Sequence, residues 1–198
     1  QRLIDEAALP GSAERSEQAQ AIAEALTAAG YRQIGLDHFA LPDDDLTTAQ
    51  AAGTLRRNFQ GYTTDACETL IGFGASSIGR TWQGYVQNEV AIGLYGRHIA
   101  SGRLATAKGY RLSQEDRVRA AVIERLMCDF EADVPAICAR HGFDPSCLLD
   151  GNGRLAMLER DGVLDNAGGV IRVRRDHRFL IRAAAAAFDA YLEESPRA

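Results

Sequence analysis

The residues best equipped for ligand chemistry stand together between Arg57 and Thr64, which read Arg-Asn-Phe-Gln-Gly-Tyr-Thr-Thr. Phe59 offers a ring face on which an adenine could stack, and Gln60 offers both a donor and an acceptor to a polar ligand edge. Gly61 lets the chain turn, and Tyr62, Thr63 and Thr64 add hydroxyls. Neither helical nor strand periodicity runs through the segment, so it reads as a loop. A glycine-rich stretch, Ile71 to Gly79 (IGFGASSIG), follows shortly after. Gly72, Gly74 and Gly79 have no side chains, so the backbone there can approach a ligand closely and adopt positive φ. The stretch is not a dinucleotide fingerprint, because Ser77 occupies the place of the third glycine, and no Gly-Lys-Ser/Thr follows to make a phosphate loop. On pattern alone, tight strand-to-turn packing and an ordered surface loop stand open beside ligand binding.

Other candidates carry less. His38 stands between Asp37 and Phe39, where either a cavity-facing or a hydrogen-bonded structural histidine would fit. Asp43, Asp44 and Asp45 precede a short helix and suit N-capping better than metal binding. Arg56 and Arg57 flank the aromatic loop with forked guanidinium groups suited to carboxylates or to surface ion pairs. The four cysteines, Cys67, Cys128, Cys138 and Cys147, show no CxxC or CxxxC spacing, so no metal site is assigned. Scattered thiols of this kind suit a reducing cytoplasm.

The elements that must position these groups fall into two parts. A helix is expected from a Ser16 cap to Ala29, stopped by Gly30, followed by a strand over residues 31–36 whose carboxyl end turns polar at Asp37-His38-Phe39. That is one unit of an α/β architecture, in which functional groups collect at strand carboxyl ends. A short helix to Gly53, the loop, the glycine-rich stretch and a helix from about Asn88 to Ser101 follow. From Leu112 the chain becomes helical. Ser113 with Asp116 resembles a capping box, and Val118, Val122, Leu126 and Phe130 recur at i+4 steps. Helices over Asp133 to His141 and up to Asp161-Gly162 precede two strands around a turn at Asn166–Gly169. A last helix places Ile181, Ala184, Ala185, Phe188 and Leu192 on one face. The expected class is α+β, mostly α, with a winged-helix-like second domain; the boundary falls near 103–112, giving 1–102 and 103–198.

The chain has 198 residues, 46% of them hydrophobic, which is ample for a core. Its net charge of -5 argues against an obligate nucleic-acid or anionic-membrane partner. Lys108 is the only lysine, so the arginine count by itself says nothing about anion binding. The basic cluster Arg172, Arg174, Arg175, Arg178 and Arg182 lies at the end of the expected wing. The preceding helix, however, carries Glu159 and Asp161, which would face phosphates unfavourably. No apolar run reaches a membrane span, and no signal-peptide pattern opens the chain. The first residue is Gln1, and the opening segment reads as a piece cut from something longer.

Residues 31–64, with the Asp37-His38-Phe39-Ala40 block and RNFQGYTT, resemble the oxygen-independent coproporphyrinogen III oxidase family. So do the Ile71–Ile78 block and the segment from Asp116 to Ile123, collinearly over almost the whole chain. RNFQGYTT separates these enzymes from their haem-chaperone relatives. The resemblance implies a radical S-adenosylmethionine enzyme of haem biosynthesis. In this family a [4Fe–4S] cluster reduces S-adenosylmethionine to a 5′-deoxyadenosyl radical, and two propionates of coproporphyrinogen III become the vinyl groups of protoporphyrinogen IX. It implies an incomplete α/β barrel with a helical cap. Phe59 and Gln60 would line the S-adenosylmethionine site, Ile78 would touch the cofactor, and Gly72 and Gly74 would permit close approach. His38 and Arg57 would face the porphyrinogen substrate. The family's CxxxCxxC cluster motif is absent. One remaining thiol near the loop, Cys67, cannot hold a cubane. The expectation is therefore the C-terminal portion only: the last helix and strand of the barrel, its closing loops and the cap, lacking its N-terminal barrel half and inactive alone. A tetrapyrrole-binding or haem-handling module is the alternative, with a winged-helix DNA-binding regulator behind it.

Overall fold

The computed structural model describes Asp5 and residues 8–192. Helix α1 (Ser12–Ala28) starts one turn earlier than expected. Ser16 does not cap it, because the intervening Ala-Glu-Arg favours helix; its hydroxyl instead donates back to the Ser12 carbonyl at 3.1 Å. No residue of α1 is buried.

The next strand pairs in a way that the helix–strand unit did not anticipate. β1 (Arg32–Ile34) pairs antiparallel with its own return strand β2 (His38–Ala40), in the register Ile34 to His38. Gly35, at φ 62°, turns the chain back at once. His38 therefore stands on a second strand rather than at a barrel strand's carboxyl end, and the described residues contain no closed barrel. Helix α2 (Asp45–Ala51) is capped by the Asp44 carboxylate, which accepts from the Leu46 amide at 2.8 Å.

The supposed loop RNFQGYTT is a hairpin. β3 (Arg56–Asn58) pairs antiparallel with β4 (Gly61–Thr63), leaving Phe59 and Gln60 as its tip. Strands this short carry too few residues for a readable alternation. Three further strands form an antiparallel sheet in the order β5-β6-β7: β5 (Ile78–Thr81), β6 (Gly84–Asn88) and β7 (Thr106–Arg111). Helix α3 (Ile92–Ala100) lies between β6 and β7 in the chain. It starts after the expected Asn88 because Asn88 is still paired with Thr106 in the sheet.

Helix α4 (Gln114–Asp129) carries the expected capping box: the Asp116 amide donates to Ser113 Oγ at 3.1 Å, and the Ser113 amide to Asp116 Oδ2 at 2.8 Å. Val118, Val122, Leu126 and Phe130 are all buried. Phe130 ends the helix in the left-handed region, φ 61°, and strand β8 (Glu131–Asp133) follows directly. Its three residues offer no periodicity of their own, and the sequence reading missed it. Next come α5 (Val134–Arg140), α6 (Ser146–Leu149), α7 (Gly153–Arg160), β9 (Leu164–Ala167) and β10 (Val170–Val173). These strands form a sheet in the order β8-β10-β9. A 3-10 turn (Arg175–Leu180) leads into α8 (Ile181–Ala186), which is shorter than expected. There the amides of Ala187 and Phe188 bond to the carbonyls of Ala184 and Ala185. That tighter i to i−3 pattern closes the helix while Phe188 stays fully buried.

The larger core gathers the α4 stripe with Ile137, Leu164, Ile171, Ile181 and Phe188. A smaller one joins Ile34, Ala40, Ala49 and Leu55 to Cys128 of α4. Tyr62 fastens the two hairpins to that helix. Its hydroxyl accepts the Leu36 amide at 3.1 Å and donates to the Met127 carbonyl at 2.9 Å.

Candidate binding cleft

A cleft of about 420 Å³ opens between the β3–β4 tip and the segment before β5. Phe59 and Gln60 form one wall; Ile71, Gly72, Phe73 and Ile78 are among the residues of the other. Phe59 is 55% exposed and is held edge-on by Tyr85 of β6, with ring centroids 5.4 Å apart. The Gln60 amide donates to Asn58 Oδ1 at 2.8 Å, which fixes the turn. Its own carboxamide has no hydrogen-bond partner among the described residues and is available to a ligand.

The opposite wall begins at a bridge between Leu70 and Arg80, with both backbone bonds at 2.8 Å. From there the chain makes an irregular excursion in which Gly74 (φ 104°) and Ser76 (φ 62°) take positive φ. Gly72 lines the cleft. A side chain there would meet the Ile78 carbonyl at 2.9 Å and Ser77 Cβ at 2.8 Å, so the glycine also makes room for its own loop. Gly74 does not line the cleft. Phe59, Gln60, Gly72 and Ile78 are thus brought together from two parts of the sequence. His38 and Arg57 do not join them.

Those two residues surround Tyr62. His38 Nδ1 lies 2.9 Å from Asp37 Oδ1, and its ring sits edge-on to the Tyr62 ring at 5.0 Å. The Arg57 guanidinium stands over the same ring at 5.6 Å. Arg56 is ion-paired with Glu124 at 3.0 Å. Burial pushes the Tyr62 phenol above its ordinary range.

The cleft contains no ionisable side chain. It can stack, hydrogen-bond and exclude water, but it supplies no acid or base. Ile71 and Phe73, 70% and 86% exposed, were missed by sequence reasoning. Their signal was present, since two large apolar residues alternate with glycines where no core periodicity demands them. A larger cleft, about 490 Å³, lies beside Arg125, Asp129, Glu131, Arg140 and Arg178. It holds none of the expected residues. Its charges are mostly matched within the protein: Arg125 pairs with Asp129 at 2.7 Å, Glu131 with Arg172 at 2.7 Å, and Arg178 rests on the Phe130 ring.

Among the described residues no group of three or more His, Cys, Asp or Glu could hold a metal ion. A [4Fe–4S] cluster does not fit the residues described. Cys67 and Cys147 are exposed, while Cys128 and Cys138 are buried. Burial pushes the Cys128 thiol up to about 12. Because its folded value lies above the unfolded one, its contribution to stability is complete below the ordinary thiol range and is lost as pH rises toward about 12. Under native conditions at mildly alkaline pH, Cys67 and Cys147 are expected to react with a chromogenic disulfide reagent, and Cys128 and Cys138 only after denaturant is added. Equal rates for all four would contradict this burial pattern.

The cleft is thus an uncharged wall on a mixed α/β framework, with no metal-binding group among the described residues. Among solved structures, the chain matches coproporphyrinogen III oxidase from Escherichia coli, described as a radical SAM enzyme, with a TM-score of 0.90 and 36% identity over 97% of this chain and 44% of that one. No family model matches. The oxygen-independent coproporphyrinogen III oxidase of Bradyrhizobium diazoefficiens is 58% identical over 193 residues, which is 98% of this chain and 43% of that protein. An anaerobic coproporphyrinogen III oxidase of Cereibacter sphaeroides is 43% identical over 198 residues, 100% of this chain and 43% of that protein. The chain spans less than half the length of these curated relatives. It is accordingly related to part of a protein class that includes a radical SAM enzyme. More particularly, it is a homologue of the oxygen-independent coproporphyrinogen III oxidases and fits their C-terminal portion.

Proposed function

We propose that this chain is the C-terminal part of an oxygen-independent coproporphyrinogen III oxidase, an oxidoreductase of haem biosynthesis. The whole enzyme would convert coproporphyrinogen III to protoporphyrinogen IX by oxidative decarboxylation of two propionates. The observation that carries the reading is the meeting of Phe59, Gln60 and Ile78 in one uncharged cleft of about 420 Å³. That volume lies within the range of small-molecule sites, about 300–1,000 Å³. S-adenosylmethionine, if held here, would supply the hydrogen-abstracting chemistry once reduced by the cluster of the missing portion. Phe59 offers a half-exposed ring for the adenine, the Gln60 carboxamide a donor and an acceptor for its polar edge, and Ile71, Phe73 and Ile78 a lid against water. His38 is our candidate for the porphyrinogen face, and Arg57, already engaged over Tyr62, is the weaker one.

The rest of the barrel and the cluster that reduces the cofactor belong to a further portion of the protein, so this part alone is inactive. α1 supports the barrel reading, since Ile22 is 57% exposed and its helix buries nothing here. We set the domain division after Arg111, because β7 still pairs with β6. The second domain is read as winged-helix-like on the strength of α4, α5, α7 and the β9–β10 hairpin, with β8 as a third strand. We read it without a nucleic-acid partner, a reading supported by the pairing of Arg172 with Glu131 and of Arg174 with Asp165. No helix among the described residues is long and apolar enough to cross a membrane. We read the enzyme as cytoplasmic, in keeping with its free thiols.

In the full-length enzyme, Phe59→Ala and Gln60→Ala are each expected to weaken S-adenosylmethionine binding by about tenfold. Calorimetric titration reads the affinity, and thermal denaturation checks the fold. Unchanged affinity in both variants would remove the cofactor-wall reading.

A further inference from the structure

The cleft wall formed by residues 71–77, ahead of β5, has no regular structure, yet its path is held at several steps. Asn88, the last residue of β6, points its carboxamide into the excursion. Its Nδ2 donates to the Gly72 carbonyl at 3.0 Å and to the Gly74 carbonyl at 3.1 Å. The two carbonyls flank Phe73, so drawing both onto one nitrogen bulges the backbone between them at the residue that is 86% exposed. From α3, the Tyr95 hydroxyl accepts the Gly74 amide at 3.1 Å. The Asn88 amide donates to the Ser77 carbonyl at 3.0 Å, the Ser76 amide to the Glu89 carbonyl at 2.8 Å, and Ser77 Oγ to the Phe73 carbonyl at 2.6 Å. Neither Asn88 nor Tyr95 lines the cleft.

We infer that Asn88, assisted by Tyr95, is a positioning residue for the cofactor site: its two-carbonyl clamp sets where Phe73 and Ile78 stand opposite Phe59 and Gln60. The inference rests on the cofactor-wall reading. Asparagine suits the position because its short NH₂ carries two donors, one for each carbonyl; aspartate of the same shape would set a carboxylate against both. The clamp lies behind the wall and touches no ligand, so it acts on the shape of the bound site.

The test uses the full-length enzyme, with S-adenosylmethionine as the probe. Asn88→Asp and Asn88→Ala are expected to raise the cofactor's KM and its dissociation constant by roughly tenfold, the equivalent of the hydrogen bonds lost. The kcat at saturating cofactor should hold within about twofold, because the clamp contributes to binding and not to a step of the reaction. Tyr95→Phe removes only the acceptor for one amide and should give a smaller rise in the same direction. Hydrogen exchange at the amides of residues 72–77 should accelerate in the Asn88 variants while the α4 amides keep their protection. A cofactor affinity unaltered in Asn88→Asp and Tyr95→Phe, alongside a loss in Gln60→Ala, would overturn the positioning role and leave the cofactor wall standing. No loss in Phe59→Ala or Gln60→Ala would instead remove the reading on which it depends. A fall in kcat with KM unchanged would also overturn it.

Discussion

Gly35→Ala is expected to destabilise the protein by on the order of 3–5 kcal/mol. Two costs add. The residue sits at φ 62°, where an L side chain is strained by about 1–2 kcal/mol. Its new Cβ would also overlap the hydroxyl and ring of Tyr62. Tyr62 can yield only by giving up the Leu36 amide and the Met127 carbonyl, the two bonds that hold both hairpins on α4. Urea denaturation of wild type, Gly35→Ala and Tyr62→Phe separates the terms. Tyr62→Phe keeps the ring and loses the hydroxyl, so its cost should be about 1–3 kcal/mol. A Gly35→Ala variant as stable as wild type would mean that the hairpins are not held by this contact. pH gives an independent reading. Burial raises the Tyr62 phenol above the unfolded value, so its stabilisation is complete below that value and is lost as pH rises through the folded one. Wild type should therefore lose stability above about pH 10 more steeply than Tyr62→Phe does.

Arg125→Met should cost about 2–4 kcal/mol. Arg125 is a further tie between α4 and the first half, beside the Arg56–Glu124 pair. Its guanidinium donates to the Gly53 carbonyl at 3.1 Å, to the Leu55 carbonyl, and to Asp129 Oδ2 at 2.7 Å. Methionine keeps the apolar stem but strands two carbonyls and a carboxylate whose other oxygen, Oδ1, is already buried without a partner. Burial is the first cause holding the Asp129 carboxyl above its ordinary range, and Arg125 works against it. Without the arginine the carboxyl should rise further. An acid whose folded value is raised is least destabilising when protonated, so the deficit of Arg125→Met should shrink as pH falls through the folded value of Asp129. Adding Asp129→Asn should recover part of the loss at neutral pH. Calorimetric melting across pH 4–8 would read both effects, on the order of several degrees; a deficit independent of pH would mean that the carbonyl bonds, not the carboxylate, carry the cost.

The local features were legible where their causes lie within a few residues. The Ser113–Asp116 box, the Asp44 cap, the i+4 stripe of α4 and the glycine turn between β9 and β10 were all readable from side chains that act on their own backbone. The short strands were legible only in part: a strand was expected over residues 31–36, where β1 stands, but its return strand β2 was not, nor were β3 and β8. β1, β3 and β8 have three residues each, too few to show an alternation. Each exists because a partner strand supplies its hydrogen bonds, at β2, β4 and β10 respectively. The same holds for Gly35 and Gly72: only the packed chain set Tyr62 against one and the Ile78 carbonyl against the other.

The sequence by itself determined which residues could meet a ligand. Phe59 and Gln60 have the ring and the amide whatever the fold, and the absence of cysteine spacing for a cluster is a fact of composition. Tertiary structure decided which of them meet. Phe59 and Ile78 are joined only because the β3–β4 tip and the segment ahead of β5 come to face each other, with Tyr85 bracing one wall and Asn88 and Tyr95 the other. His38 and Arg57, equally rich in chemistry, the second only two residues from Phe59, were drawn instead to Tyr62. Side-chain chemistry is a property of the residue, whereas proximity across a cleft depends on long-range pairing that no short window of sequence contains.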